Sequence, residues 1–196
     1  MYRLIALLIG YLFGMFQTAY FVGKMSGIDI REHGSKSAGF TNTNRVLGRK
    51  AGLIVFFADV LKTIIAVLVV TLIPGGSYIA GLYAGFGSII GHIFPFFLKF
   101  KGGKGISCTL GLIIMTDWRV MLISFAIGIV LVLVFRYISL ASLAITLVTP
   151  ILMFAFGFQT EAVLLMFGIT ALTWFKHRAN IVRLIKGEES RFSLRK

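Results

Sequence analysis

The most constraining feature of this sequence is a series of apolar runs, nearly free of charge, that recurs from end to end: residues 4–22, 51–73, 77–98, 119–135, 137–158 and 161–175, with a shorter run at 106–116. A helix needs about 20 apolar residues to cross the ~30 Å of hydrocarbon in a bilayer, and inside it every backbone polar group must be satisfied within the protein. With 58% hydrophobic residues and a mean hydropathy of +0.93, the chain lies above the apolar share of soluble domains, about 45–50%. The reading is an all-α polytopic membrane protein, a single integral membrane domain over 1–196. Arg3 precedes the first run as it would in a signal peptide, but no small-x-small cleavage pattern follows it and many further runs do. It is therefore read as an uncleaved helix, with Gln17 as a polar interruption turned toward other helices.

The net charge of +13 would point to nucleic acid in a soluble chain. Here the cations fall between apolar runs, where they set topology and bind anions, so no nucleic-acid partner is expected. Counting 106–116 gives seven transmembrane helices, one of them short. An exoplasmic N-terminus and a cytoplasmic C-terminus then put every one of the 20 basic residues except Arg3, Lys62 and Arg119 on the cytoplasmic side. Six crossings would leave either the 24–50 segment or the basic tail on the wrong side. Ile181, Leu184 and Ile185 recur at helical spacing among Arg183 and Lys186, which predicts a tail helix along the surface. The lone cysteine, Cys108, excludes an internal disulfide.

Four polar clusters share the expected cytoplasmic face. The stretch KFKGGKGISCTLG at 99–111 places three lysines and three glycines in seven residues. Gly102, Gly103 and Gly105 permit backbone angles closed to other residues and let amides approach a ligand, and Lys104 brings a cation. An apolar run opening at Ile106 predicts a helix N-terminus there, which favours phosphate. The spacing is not the nucleotide-binding G-x-x-x-x-G-K-[ST], and a basic loop that only fixes topology is the competing reading. The run GSKSAGFTNTNR at 34–45 offers small hydroxyl, amide and glycine residues ending in Arg45, which can hold two phosphate oxygens at once; a flexible loop of that composition competes. Ser139 and Ser142 open an apolar run after Arg136, where helix capping accounts for one of them. His177 and Asn180 are three apart and share a face of the tail helix, with Arg178 turned away. Asp59 and Lys62 also share a face, inside a span, as a structural ion pair or part of a site.

Three blocks in series, GSKSAGFTN-TN-R with LGRKAG and D-x-x-K, then GHIFPFFLKFKGGKG, then HRANI-x-RL-x-x-GEE, resemble the acyl-phosphate-dependent glycerol-3-phosphate acyltransferase family, known as PlsY, over nearly the whole chain. The resemblance implies a seven-helix enzyme of the bacterial plasma membrane, its active site facing the cytoplasm. Such an enzyme moves a fatty acyl group from acyl phosphate to the 1-hydroxyl of sn-glycerol 3-phosphate, giving lysophosphatidic acid and phosphate. No cofactor, metal or required protein partner is implied, and neither acyl carrier protein nor coenzyme A as donor; membrane lipids surround the enzyme. By position, it implies Ser35, Arg45, Lys104, Ser142, His177 and Asn180 around glycerol phosphate, and Thr41, Asn42, Gly102, Gly103 and Gly105 around acyl phosphate. Cations and oriented amides would offset the repulsion of two adjacent phosphates.

The chain departs from the family pattern at Lys36, Ser37 and Phe40, where glycine, asparagine and alanine are usual. It departs again at Thr63 in place of a glycine, and at Ala179 in place of a glutamate that would anchor the tail. These departures favour one alternative, a weakly active or inactive lipid-phosphate-binding relative. A small anion transporter using Asp59 and Lys62 is the other, opposed by the lack of inverted repeats and the one-sided polar clusters. No nucleophile elbow is present and Cys108 has no evident histidine partner, so direct attack without an acyl-enzyme is expected. His177, or a substrate phosphate oxygen, would take the proton.

Overall fold

The computed structural model describes residues 2–192, which form ten α-helices and no strand. It divides into two compact units, Met1–Met115 and Thr116–Lys196. Arg195 and Lys196, counted above with the basic tail, lie outside the described residues.

The first unit is built on a close crossing of α1 (Tyr2–Met15) and α5 (Tyr78–Ile93). A methyl added at Gly10 or Gly14 would strike the carbonyl of Ala84 or Ser88, and one at Gly87 or Gly91 would strike that of Leu7 or Tyr11. Lipid tails are as apolar as leucine, so helices in a bilayer gain by letting small residues bring backbones together rather than by hiding side chains from water. Leu4, Leu8 and Leu12, on the other side of α1, stay exposed for lipid.

The run 4–22, expected as one helix, is instead two: α1 stops at Met15 and α2 (Thr18–Met25) follows. The physical reason lies in two tertiary hydrogen bonds. The Phe16 carbonyl accepts from Lys62 Nζ at 2.7 Å, and the fully buried Gln17 donates from Nε2 to the His92 carbonyl at 3.0 Å. Gln17 therefore faces other helices, as its polarity predicts. Lys62 comes from α4 (Arg49–Leu72), a helix of 24 residues and so about 36 Å. Ahead of it, the short α3 (Phe40–Leu47) carries the second half of the 34–45 cluster. The short run at 106–116 folds as α6 (Ile106–Ile114), nine residues packed on α4 and α5.

In the second unit α7 (Trp118–Phe135) starts on an Asp117 cap, whose Oδ1 accepts from the Arg119 amide at 2.8 Å. Polar side chains fasten its helices: Ser124 to Thr149, 3.1 Å, between α7 and α8 (Ile138–Ala155), and Thr170 to the Thr146 carbonyl, 2.6 Å, between α9 (Thr160–Lys176) and α8. The expected tail helix is present as α10 (Arg178–Ile185).

Among the described residues, five segments are long and apolar enough to cross a membrane: Tyr2–Met25, Arg49–Leu72, Tyr78–Leu98, Trp118–Phe135 and Ile138–Ala155. Of the seven expected crossings, those two that fall outside this set are α9, at 17 residues, and α6, at nine.

Two glycine substitutions separate packing from propensity. Gly14→Ala drives a methyl into the α5 backbone and should lower the thermal midpoint in detergent by several degrees. Gly168→Ala, in α9 with nothing within 4 Å, should hold or raise it, since alanine in an open helical site gains about 0.5–1 kcal/mol.

Candidate active site

The glycine-lysine loop is placed by the end of α5. The Gly102 amide donates to the Ile93 carbonyl at 3.2 Å and the Gly103 amide to the His92 carbonyl at 3.1 Å, so the loop closes the last turn of that helix. A side chain at Gly102 would strike the His92 carbonyl, and one at Gly103 would strike His92 Nε2 and lie 2.7 Å from the Ala38 carbonyl. The need for glycine here is steric: those two amides serve α5, whereas the sequence reading had them face a ligand. Gly105, at φ +86°, is the residue ahead of α6, and its carbonyl accepts from the Thr109 amide and hydroxyl at 2.8 and 2.9 Å. Lys104, half-buried, thus stands two residues before the first residue of α6, ahead of a helix N-terminus as expected.

The contact of Gly103 with Ala38 brings the 34–45 cluster to the same place. Asn42, 1% exposed, organises that segment: its Nδ2 donates to the carbonyls of Ile30 and His33, both at 3.0 Å, and its Oδ1 accepts from the Ser35 amide at 2.7 Å. Its amide is committed to the loop, so it positions Ser35. Ser35, Thr41 and Arg45 are exposed. Lys36 sits at φ 58°, which accounts for glycine as the usual residue there and costs lysine about 1–2 kcal/mol. Phe40 packs edge-on against Phe56, centroids 5.4 Å apart, and so turns toward the α4 side of its helix. Arg31 grips Asp29 through two nitrogens, at 3.0 and 2.6 Å, and reaches the Leu98 carbonyl at 3.3 Å, tying the 29–32 turn to the segment before the glycines.

Beneath the loop, Lys62 Nζ meets Asp59 Oδ1 at 2.7 Å and His92 Nδ1 at 3.0 Å. Asp59, His92 and Cys108 offer ligand atoms within 4.8 Å of one another, the residue types that could hold a metal. The Lys62 ammonium already lies against two of the three, where a second cation would be repelled.

In the second unit His177 lies at the junction of α9 and α10, 4% exposed, with Nδ1 2.9 Å from the Thr173 carbonyl. A carbonyl only accepts, so Nδ1 carries the hydrogen and the neutral ring keeps its basic lone pair on Nε2. Asn180 is buried and donates from Nδ2 to Glu189 Oε1 at 2.7 Å. Ser139 donates to the same oxygen at 2.9 Å, and Arg183 to Oε2 at 2.6 Å. Burial pushes the Glu189 carboxyl up, but these three donors outweigh it and hold it below the usual carboxylate range. Ser142 is buried in the first turns of α8, its hydroxyl donating to the Ile138 carbonyl at 2.8 Å. Ala179 is exposed, and the tail helix is fastened through Glu189.

Residues 4–187 match the family model described as glycerol-3-phosphate acyltransferase. The chain belongs to the glycerol-3-phosphate acyltransferase family. It is 39% identical to the glycerol-3-phosphate acyltransferase of Prochlorococcus marinus (strain NATL1A), over 96% of this chain and 98% of that one. It is 36% identical to that of Aquifex aeolicus (strain VF5), over 98% and 100%. The crystal structure of PlsY (YgiH), an integral membrane glycerol 3-phosphate acyltransferase, in its glycerol 3-phosphate form superposes with a TM-score of 0.89 at 35% identity, covering 97% of this chain and 96% of that one. The lysophosphatidic acid form of PlsY gives 0.86 at the same identity. The fold of this acyltransferase, an all-helical integral membrane protein, is thus that of PlsY.

Within the acyltransferase, the first unit brings Ser35, which Asn42 of α3 positions, beside the loop of Gly102 and Gly103, and the second joins Asn180 and Ser139 through Glu189. Sequence reasoning missed His92 and Glu189. The GHIFP and GEE blocks hold both, but only the fold reveals what they bond.

Two carboxylates set an acid limit. Arg31 beside Asp29 holds its carboxyl down to about 2, from the usual 3.8. A depressed folded value means the stabilisation is complete above the unfolded value and lost as pH falls through the folded one. The thermal midpoint of the native protein should therefore drop between about pH 4 and 2, and Asp29→Asn should flatten the Asp29 share of that drop. Glu189→Ala strands three donors and should cost about 3 kcal/mol, read as a lower thermal midpoint with easier proteolysis after α10.

Proposed function

We propose that this chain transfers a fatty acyl group from acyl phosphate to the 1-hydroxyl of sn-glycerol 3-phosphate in the bacterial plasma membrane, acting as one domain over 1–196. Membership of the glycerol-3-phosphate acyltransferase family makes it an acyltransferase that yields lysophosphatidic acid. The observation that carries the fuller reading is the meeting of two phosphate-suited loops, 34–45 and 102–105, at Ala38 and Gly103. Lys104 and Arg45 supply cations, and the α6 N-terminus supplies amides and a positive dipole end. Glycerol phosphate is assigned to Ser35, Arg45, Lys104, Ser142, His177 and Asn180, and acyl phosphate to Thr41 and the loops that Asn42, Gly102, Gly103 and Gly105 shape. Seven crossings are proposed, α6 and α9 included, with the N-terminus outside and the site facing the cytoplasm.

The reaction is a single displacement. The hydroxyl oxygen attacks the acyl carbonyl carbon, the new ester C–O bond forms, and the bond from that carbon to the phosphate oxygen breaks. Inorganic phosphate leaves, and the hydroxyl proton passes to His177 Nε2 or to a phosphate oxygen of the substrates. Phosphate is a good leaving group, so the protein's work is to position the reactants and neutralise charge.

Purified protein in detergent, given acyl phosphate and glycerol 3-phosphate, should release phosphate continuously. Lys104→Ala and His177→Ala should each lower kcat/KM by about 10²-fold or more. Turnover unchanged in both variants would remove the site assignment. Mass spectrometry after quenching with acyl phosphate alone should find no acylated protein; a stable adduct would replace the single displacement by a two-step path.

A further inference from the structure

Lysine and aspartate inside a membrane helix are costly to keep, and a buried ion pair is weak support for stability, so the Asp59–Lys62 pair calls for a reason. Lys62 is 7% exposed, Asp59 1% and His92 3%. The Lys62 ammonium has three hydrogens, and three acceptors surround it: Asp59 Oδ1 at 2.7 Å, the Phe16 carbonyl at 2.7 Å and His92 Nδ1 at 3.0 Å. An ammonium only donates, so His92 must present a lone pair at Nδ1 and carry its hydrogen on Nε2. That is the tautomer opposite to the one Thr173 imposes on His177. The Nε2 edge of His92 lies against Gly103, close enough that a side chain there would strike it. The main chain of the same residue accepts from Gly103 and from Gln17, at 3.1 and 3.0 Å. One histidine therefore touches the loop through both its ring and its carbonyl, and one lysine sets the ring.

We propose that Lys62, anchored by Asp59, is a positioning residue for acyl transfer: it fixes the tautomer and orientation of His92, and through His92 the place of the Gly102–Lys104 backbone. This rests on the reading of that loop as a phosphate site. The pair thereby transmits the α1–α2 break and the α4 register to the loop, so that Lys104 arrives where the substrates' phosphates are held. Lys62 itself does not touch the substrate.

The test uses the full chain in detergent. Lys62→Met leaves Asp59 buried without its partner and should lose stability as well as activity. The double variant Asp59→Asn with Lys62→Met removes both charges. It should recover part of the midpoint lost in Lys62→Met, since no charge is left buried alone, yet keep kcat/KM at least tenfold below native. Recovery of both stability and activity in the double variant would reduce the pair to a structural element and overturn the proposal. A variant-independent arm keeps it testable if the double variant does not fold. In the native protein, ¹⁵N-histidine spectra, assigned by the signals lost in His33→Gln and His177→Gln, should give His92 hydrogen on Nε2 alone. Hydrogen on Nδ1, or on both nitrogens, would overturn it. Lys104→Ala in the same assay separates the two readings: full activity there removes the phosphate loop, whereas a defect there beside a fully active double variant removes only the positioning role.

Discussion

One buried ammonium with all three of its hydrogens committed ties the first unit together. Lys62 joins the middle of α4 to the break between α1 and α2 and to the last turn of α5, three places that the sequence holds far apart. In hydrocarbon a hydrogen bond to a charged group has little competition from water, so its geometry is enforced more strictly than on a wet surface. The glycines then set how near the pieces come. Where Gly14 meets Ser88, and where Gly103 meets His92, there is no room for a methyl group.

Much of this was legible in the sequence, and what was not has a common cause. The apolar runs gave the helices because burial in lipid needs length and hydropathy, which are local properties. The placing of Lys104 before a helix start was legible for the same reason, from Gly105 and the run at Ile106. The break at Phe16 was not: no proline marks it, Gly14 serves the packing on α5, and the break exists because a lysine 46 residues away takes the Phe16 carbonyl. Asn42 reads as a ligand donor in a loop rich in hydroxyls, yet both ends of its amide bond the loop itself. Tertiary hydrogen bonds of this kind have no sequence period to reveal them.

The departures from the family pattern acquire separate meanings. Lys36 pays a backbone strain where glycine would not, and adds an exposed cation to the 34–45 segment. Phe40 leans on Phe56 and so adds apolar packing to α3. Ala179 is exposed, and the tail is fastened by Glu189, which gathers Ser139, Asn180 and Arg183. Two phosphorylated reactants repel each other, and an enzyme that joins them needs fixed cations more than it needs a nucleophile of its own. The two histidines divide along the same line: His177 offers a lone pair at Nε2, while His92 is turned the other way and supports a loop.

Hydrogen–deuterium exchange followed by mass spectrometry tests the central claim most directly, by comparing native protein with Lys62→Met. Lys62→Met should exchange faster in peptides spanning 93–105, where the Gly102 and Gly103 amides close α5, with exchange after α10 unchanged. Equal exchange at 93–105 in the two proteins, or a uniform rise along the whole chain, would contradict it.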